Sequence, residues 1–271
     1  MKIIKGTSKG FFANVMDAVR HISHSIKDGD SWYVDWDNTP YNDKSYGNNA
    51  WEYYFVNPAE ITDRSQICSD YTHLELLGER NFRETANFIL TEHLKFNSKI
   101  KSIIDSIADK NYIGVKTLGV HIRKTDKHNW RSFGEPDSAI PLDLDFYKKY
   151  IDRYIEHYEN VYIATDDANE LAYLKQYIGE AYNKEVVYIE AFRSSGNLSI
   201  HGNYPNISGY KKGLEVLIDC INLSKCGFLI RSSSNVSSTA QFFNLALQHV
   251  NINEVELGDN REEEFNLKSI I

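Results

Sequence analysis

Three short segments carry side chains whose types and spacing suit a phosphate-bearing ligand. GVHIRKTDK (119–127) sets His121, Arg123, Lys124, Asp126 and Lys127 directly after an apolar run. The planar guanidinium of Arg donates two parallel charge-assisted hydrogen bonds and so matches a diphosphate, whereas Lys offers a point charge. VYIATDD (161–167) ends a second apolar run with Asp166 and Asp167. RSSSNVSST (231–239) follows a third, and places Ser232, Ser233 and Ser234 where a helix pattern begins. Hydroxyls, unpaired backbone N–H groups and the positive end of a helix together form an anion site. Taken singly, each segment has a structural explanation: strand-end Asp caps helices, Ser runs form loops, and Arg pairs with nearby acids. Taken together, at one edge of one sheet, they indicate a nucleotide or nucleotide-sugar site. The sequence has neither GxxxxGK[ST] nor a clean GxGxxG, which argues against kinase, ATPase and dehydrogenase chemistry.

The elements that must hold these segments follow from hydrophobic period. Ile100, Ile103, Ile104 and Ile107 recur at helical spacing after Ser98, a fitting N-cap. A strand over 113–122 follows, then a helix marked by Tyr147, Tyr150, Ile151, Tyr154, Ile155 and Tyr158 with Asp145 as its cap. Next come a strand at 161–164, a helix near 168–177, a strand at 186–189, a helix near 210–224, a strand at 228–230 and a helix near 237–248. Short apolar strands alternating with helices need crossover connections, so the expected fold is doubly wound α/β with a parallel sheet buried on both faces. Ligands of such sheets bind at the C-terminal strand ends. The first hundred residues read as a smaller α/β lobe: a strand at Ile3 and Ile4, a loop with Gly6 and Gly10, a helix over 13–22 and a strand over 32–34. The expected division is an N-terminal lobe over 1–105, a C-terminal lobe over 106–250 and a tail over 251–271, with a cleft between the lobes.

Composition narrows the function classes. The chain of 271 residues is 42% hydrophobic and 25% charged, ordinary for a globular protein. Its 30 Lys+Arg against 38 Asp+Glu give a formal charge of −8, which disfavours non-specific binding to nucleic acid or anionic membranes. Cys68, Cys220 and Cys226 form an odd set without CxxC spacing, so neither a disulfide framework nor a zinc site is indicated and a reducing, cytoplasmic setting is expected. No apolar run is long enough for a transmembrane helix, and the start MKIIKGTSKGFF lacks a signal-type apolar core. Aromatic residues crowd 32–55 among Asn, Asp and Gly, a composition that suits either half-buried packing, contact with a sugar face, or an interface.

GVHIRKTDK, VYIATDD, the helix GLEVLIDCINLSKC (213–226) and RSSSNVSS resemble, in order and spacing, the donor-site motifs of the fucosyltransferase superfamily, in particular the α1,6-fucosyltransferases and NodZ-type enzymes. The resemblance covers about 110–245, and NAWEYYF (49–55) is more loosely similar to an acceptor-side segment. It implies a GT-B fold of two Rossmann-like lobes and a GDP-sugar donor held by the C-terminal parallel-sheet lobe. It also implies metal-independent, inverting transfer onto a glycan hydroxyl with no cofactor, L-fucose from GDP-fucose being the expected donor. By the same resemblance Arg123 contacts the donor diphosphate, His121 lies near the nucleotide, Asp219 reads the guanine N1/N2 edge, Ser232 to Ser234 form the phosphate turn, and Asp166 or Asp167 is the carboxylate after the TDD strand. Lys127 belongs to the same first motif.

Two departures from the family pattern stand out. Lys124 occupies the position of a second Arg, and the position of the family's candidate general base, five residues after Asp126, holds Arg131. Inverting transfer needs a group that takes the acceptor proton while cations stabilise the departing diphosphate. Glu135 and Asp126 are the catalytic candidates beside Arg123, with Asp137 on the same loop. A competing reading takes Asp35 and Asp37 as a D-x-D cation site of the other glycosyltransferase fold. Others are a catalytically silent carbohydrate- or nucleotide-binding protein on the same fold, or a transferase using another nucleotide sugar.

Overall fold

The computed structural model describes residues 1–58, 82–124, 142–195 and 207–257. The chain divides into two units, Met1–Ile103 with Pro205–Val216, and Ile104–Tyr204 with Leu217–Glu262.

In the first unit β1 (Lys2–Lys5), α1 (Phe11–Asp28) and β2 (Trp32–Asp35) make a βαβ unit whose two strands pair in parallel, Ile3 beside Tyr33 and Ile4 beside Val34. Helix α1 stops at Gly29, whose φ of 71° is open to glycine without a Cβ penalty. A two-stranded sheet leaves edge groups exposed, and two carboxamides satisfy those of β2. Asn57 Oδ1 accepts from Val34 N–H at 2.9 Å, Asn49 Nδ2 donates to Val34 O at 2.8 Å, and Asn49 Oδ1 accepts from Trp36 N–H at 2.9 Å. The aromatic-rich stretch is therefore mostly core: Trp36, Trp51, Tyr54 and Phe55 are buried, and Phe11 meets Trp36, Tyr41 and Tyr54 edge-on. Tyr46 differs, being half exposed while stacked on Tyr210. Helix α2 (Phe82–Phe88) runs on into a π-helical turn (Ile89–His93), and α3 (Ser98–Lys110) follows. The cap of α3 is Asn97, whose Oδ1 accepts from Ile100 N–H at 3.0 Å, and not the expected Ser98, which is already helical.

The second unit continues with β3 (Thr117–Ile122), α4 (Leu144–Tyr154), β4 (Asn160–Thr165), α5 (Ala168–Tyr182), β5 (Glu185–Val187), α6 (Gly209–Lys225, which belongs to the first unit as far as Val216), β6 (Phe228–Arg231), α7 (Asn235–Phe243), β7 (Gln248–Asn251) and α8 (Ile252–Leu257). The sheet has the order β5-β4-β3-β6-β7, and every pairing is parallel. Alternation along the strands sends Leu118, Val120, Ile122, Val161, Ile163 and Ile230 into a core closed by α4 and α5. Gly119 and Tyr162 meet α6 on the other face; a Cβ on Gly119 would lie 3.1 Å from Cys226 Sγ.

Three local expectations are corrected. The cap of α4 is Asp143, which accepts from Asp145 N–H at 3.2 Å, so Asp145 sits inside the first turn. The helix expected over 168–177 runs through Tyr182. The helix expected over 237–248 ends at Phe243, and 248–251 forms a fifth strand. Apolar spacing across LALQHV continues the helical period, but Asn244 breaks it, donating Nδ2 to Ser224 O at 2.8 Å and accepting from Ala246 N–H at 3.1 Å. The second unit thus runs past residue 250, through β7 and α8.

Candidate nucleotide-sugar site

Parallel strands in register end on one side of their sheet. His121 pairs with Ala164 of β4 and with Arg231 of β6, so the residues after these three strands emerge together. Arg123 and Lys124, Asp166 and Asp167, and Ser232 to Ser234 therefore share one edge, as the motifs predict.

At this edge Asp166 holds the first cationic segment in place. Arg123 Nη1 lies 3.3 Å from Asp166 Oδ2, and Lys124 N–H donates to Asp166 Oδ1 at 3.0 Å. Lys124 Nζ pairs with Glu170 on α5, a residue that the sequence reading did not single out. Both carboxylates are buried, so each cation is held against an acid that solvent does not screen. Glu170 Oε2 is buried with no hydrogen-bond partner among the described residues. Asp167 has a different task from Asp166: it is the N-cap of α5, accepting from Asn169 N–H at 2.8 Å and Glu170 N–H at 3.2 Å. Replacing Asp167 by Ala should cost about 1 kcal/mol of stability, the usual worth of a cap, with GDP affinity little changed, while Asp167→Asn retains both. Urea denaturation beside calorimetric titration of each variant checks this; a large loss of affinity with normal stability would put Asp167 in the ligand site instead.

The serine turn is equally constrained. Ser232 N–H donates to His121 O at 3.3 Å, which extends the β3–β6 pairing. Ser234 is the N-cap of α7, accepting from Val236 N–H at 3.3 Å, and Ser237 Oγ donates to Ser232 O at 2.9 Å. Ser233 turns toward β7 and α8, where its N–H donates to Asn253 Oδ1 at 2.8 Å. The hydroxyls of Ser232 and of Tyr147 on α4 are buried and interact with each other. Burial pushes the Tyr147 phenol above its ordinary pKa, so it stays protonated and able to donate.

Asp219 lies on α6 over the sheet face opposite α4. Tyr162 O–H donates to Asp219 Oδ1 at 2.5 Å, and Asn222 Nδ2 donates to Tyr162 Oη at 3.2 Å. Burial, reinforced by the Asp219 charge, raises the Tyr162 pKa well above normal, so this hydroxyl is a permanent donor. The signal for Tyr162 was present in VYIATDD: a phenol inside a buried strand needs a polar partner. Asn253 and Glu170 carried no comparable signal, because isolated Asn and Glu residues are common on surfaces.

Asp126, Lys127 and Glu135 lie outside the described residues, as does Asp137. In the first unit Lys5 Nζ sits 2.7 Å from Asp35 and 3.4 Å from Asp37, so the D-x-D carboxylates hold an ammonium group. Among the described residues no group of three or more His, Cys, Asp or Glu is arranged to hold a metal ion. Cys220 and Cys226 are free thiols, buried, with pKa values raised by burial. No helix among the described residues is long and apolar enough to cross a membrane.

A parallel five-stranded sheet covered on both faces, with cations and hydroxyls gathered at its C-terminal edge, defines a doubly wound α/β fold, and the similarity to solved structures places it in the GT-B-like class. The chain is similar to the crystal structure of NodZ alpha-1,6-fucosyltransferase soaked with GDP-fucose, with a TM-score of 0.59 and 16% identity over 89% of this chain and 91% of that one. It is also similar to fucosyltransferase NodZ from Bradyrhizobium, with a TM-score of 0.55 and 15% identity over 93% of this chain and 95% of that one. No protein-family profile matches the chain, and no curated protein sequence matches it. The chain has a fucosyltransferase-like fold.

Proposed function

We propose that this protein is a glycosyltransferase that takes L-fucose from GDP-fucose and places it on a glycan hydroxyl, by an inverting and metal-independent route. The observation that carries the reading is the set of groups at the C-terminal edge of β3, β4 and β6. Arg123 and Lys124 are oriented by Asp166 and Glu170, and the Ser232–Ser234 turn opens α7 beside them. Guanidinium, ammonium and helix N-terminus together counter the charge that develops on a departing diphosphate. The carboxylate that takes the acceptor proton is assigned to Glu135 or Asp126, which follow Arg123 and Lys124 in sequence. His121, buried near the end of β3, lies on the nucleotide side of this reading, with Lys127 on the same motif. The Lys5 ammonium between Asp35 and Asp37 supports metal independence, since those carboxylates already have a cationic partner. The free Cys220 and Cys226 support a reducing, cytoplasmic setting.

Calorimetric titration of the purified protein with GDP and UDP, with and without EDTA, tests the donor assignment. Selective GDP binding that EDTA leaves unchanged is the expected result. UDP binding that requires a divalent cation would move the site to Asp35 and Asp37. GDP binding without any sugar transfer from GDP-fucose over a panel of glycan acceptors would favour the silent binding protein.

A further inference from the structure

The serine turn is held from behind by a connected set of side chains at the end of β7 and the start of α8. Ser233 N–H donates to Asn253 Oδ1 at 2.8 Å, and Asn251 Nδ2 donates to Ser233 Oγ at 3.1 Å. Asn251 Nδ2 also donates to Glu254 Oε1 at 2.8 Å, and that oxygen lies 4.0 Å from the Arg231 guanidinium. Asn251 Oδ1 accepts from Asn253 N–H at 3.3 Å. Asn251, Asn253 and Arg231 are all buried.

This connectivity fixes the orientation of each group. The Glu254 carboxylate can only accept, so it takes the Nδ2 side of Asn251 and turns Oδ1 toward the Asn253 N–H. Asn253 in turn presents its own Oδ1 to Ser233 N–H, and Arg231 at the end of β6 faces the Glu254 carboxylate at 4.0 Å. The result is a turn whose backbone is set before any ligand arrives. Preorganised donors need no ordering at the moment of binding, which is where their advantage over flexible ones arises.

We propose that Asn251, Asn253 and Glu254 are positioning residues of the nucleotide-sugar site, which set the Ser232–Ser234 turn and the N-terminus of α7 for the donor phosphates. The proposal rests on the donor-site reading given above. It assigns a role to a segment that lies beyond the motifs and beyond the expected lobe boundary at 250. These residues act through the turn and touch no reacting atom, so their removal weakens donor binding more than it slows a bound donor.

The test uses the full chain and GDP as the probe. Asn253→Ala should weaken GDP binding by roughly tenfold, the scale of one lost positioning hydrogen bond. It should raise the KM for GDP-fucose, with kcat at saturating donor changed by less than about twofold, since uniform binding is lost and not transition-state stabilisation. NMR hydrogen exchange of the unliganded protein should show the Ser233 amide protected in the wild type and exchanging faster in Asn253→Ala. Asn253→Asp retains an acceptor at the same place and guards against a variant that does not fold; it should keep the Ser233 amide protected and restore most of the GDP affinity. Wild-type protein that binds GDP while Asn253→Ala binds it equally well overturns the proposal alone, as does an unprotected Ser233 amide in the wild type. Wild-type protein that binds no GDP overturns the donor-site reading and the proposal with it, so the two failures are distinct.

Discussion

Replacement of Arg123 by Ala is expected to lower sugar transfer about 10²–10³-fold, the usual cost of removing one group aimed at developing negative charge. Arg123 leaves the end of β3 beside the serine turn, so its position suits the leaving diphosphate, and Asp166 holds the guanidinium from the side at 3.3 Å. A planar fork can meet Asp166 and still direct other N–H groups elsewhere, which an ammonium cannot do as well. Arg123→Lys should therefore fall between wild type and Arg123→Ala, because it retains the charge and loses the fork. Initial rates with GDP-fucose at saturating donor provide the measurement, with circular dichroism to confirm folding, since Asp166 is buried and loses one of its partners. Near-normal turnover by a folded Arg123→Ala protein would remove this mechanism.

Replacement of Asp219 by Ala is expected to weaken GDP binding about 100-fold or more, since hydrogen bonds to a charged group contribute about 1.5–3 kcal/mol each and a guanine N1/N2 edge offers more than one donor. Discrimination between GDP and UDP should shrink at the same time, because a site built to accept from the guanine edge forgoes those hydrogen bonds with any other base. The structure adds a consequence that the motif alone does not contain. Tyr162 O–H donates to Asp219 at 2.5 Å from within the sheet, so the Ala variant also strands a buried phenol. Combining Asp219→Ala with Tyr162→Phe removes the O–H that has lost its acceptor but also takes the acceptor of buried Asn222 Nδ2, so the double variant should recover neither affinity nor full stability. Thermal denaturation and calorimetry of the single and double variants separate the two effects. Undiminished GDP selectivity in Asp219→Ala would show that another residue reads the base.

Much of this molecule is legible in its residues because the relevant forces are local or periodic. Strands β3, β4 and β6 announce themselves as short apolar runs buried on both faces, and α4, α5 and α6 as stripes at helical spacing. Charged residues are costly inside such strands unless they are paired, so GVHIRKTDK, VYIATDD and RSSSNVSST mark the strand ends by the rise in polarity along each segment. Failures occur where a short segment satisfies two patterns. Residues 245–250 continue the apolar spacing of α7, and only the Asn244 turn and pairing with β6 make 248–251 a strand. Ser98 and Asn97, like Asp145 and Asp143, are equally good caps by type, and the geometry of one turn selects between them.

The amino-acid sequence by itself determined that the chain is a doubly wound α/β protein with cations, carboxylates and serines gathered at one sheet edge, because strand alternation dictates parallel pairing and parallel pairing puts like ends together. Only the tertiary structure decided what each of those groups does there. Asp166 orients Arg123 while its neighbour Asp167 caps α5; Glu170 is the partner of Lys124; Tyr162 holds Asp219; and Asn253 fixes the turn at Ser233. Apart from Asp167, a local cap, these partners lie on different elements, and their hydrogen bonds depend on register, helix rotation and distances of a few tenths of an ångström. Residue spacing along one chain does not encode those quantities, and packing of the whole sheet and its helices sets them.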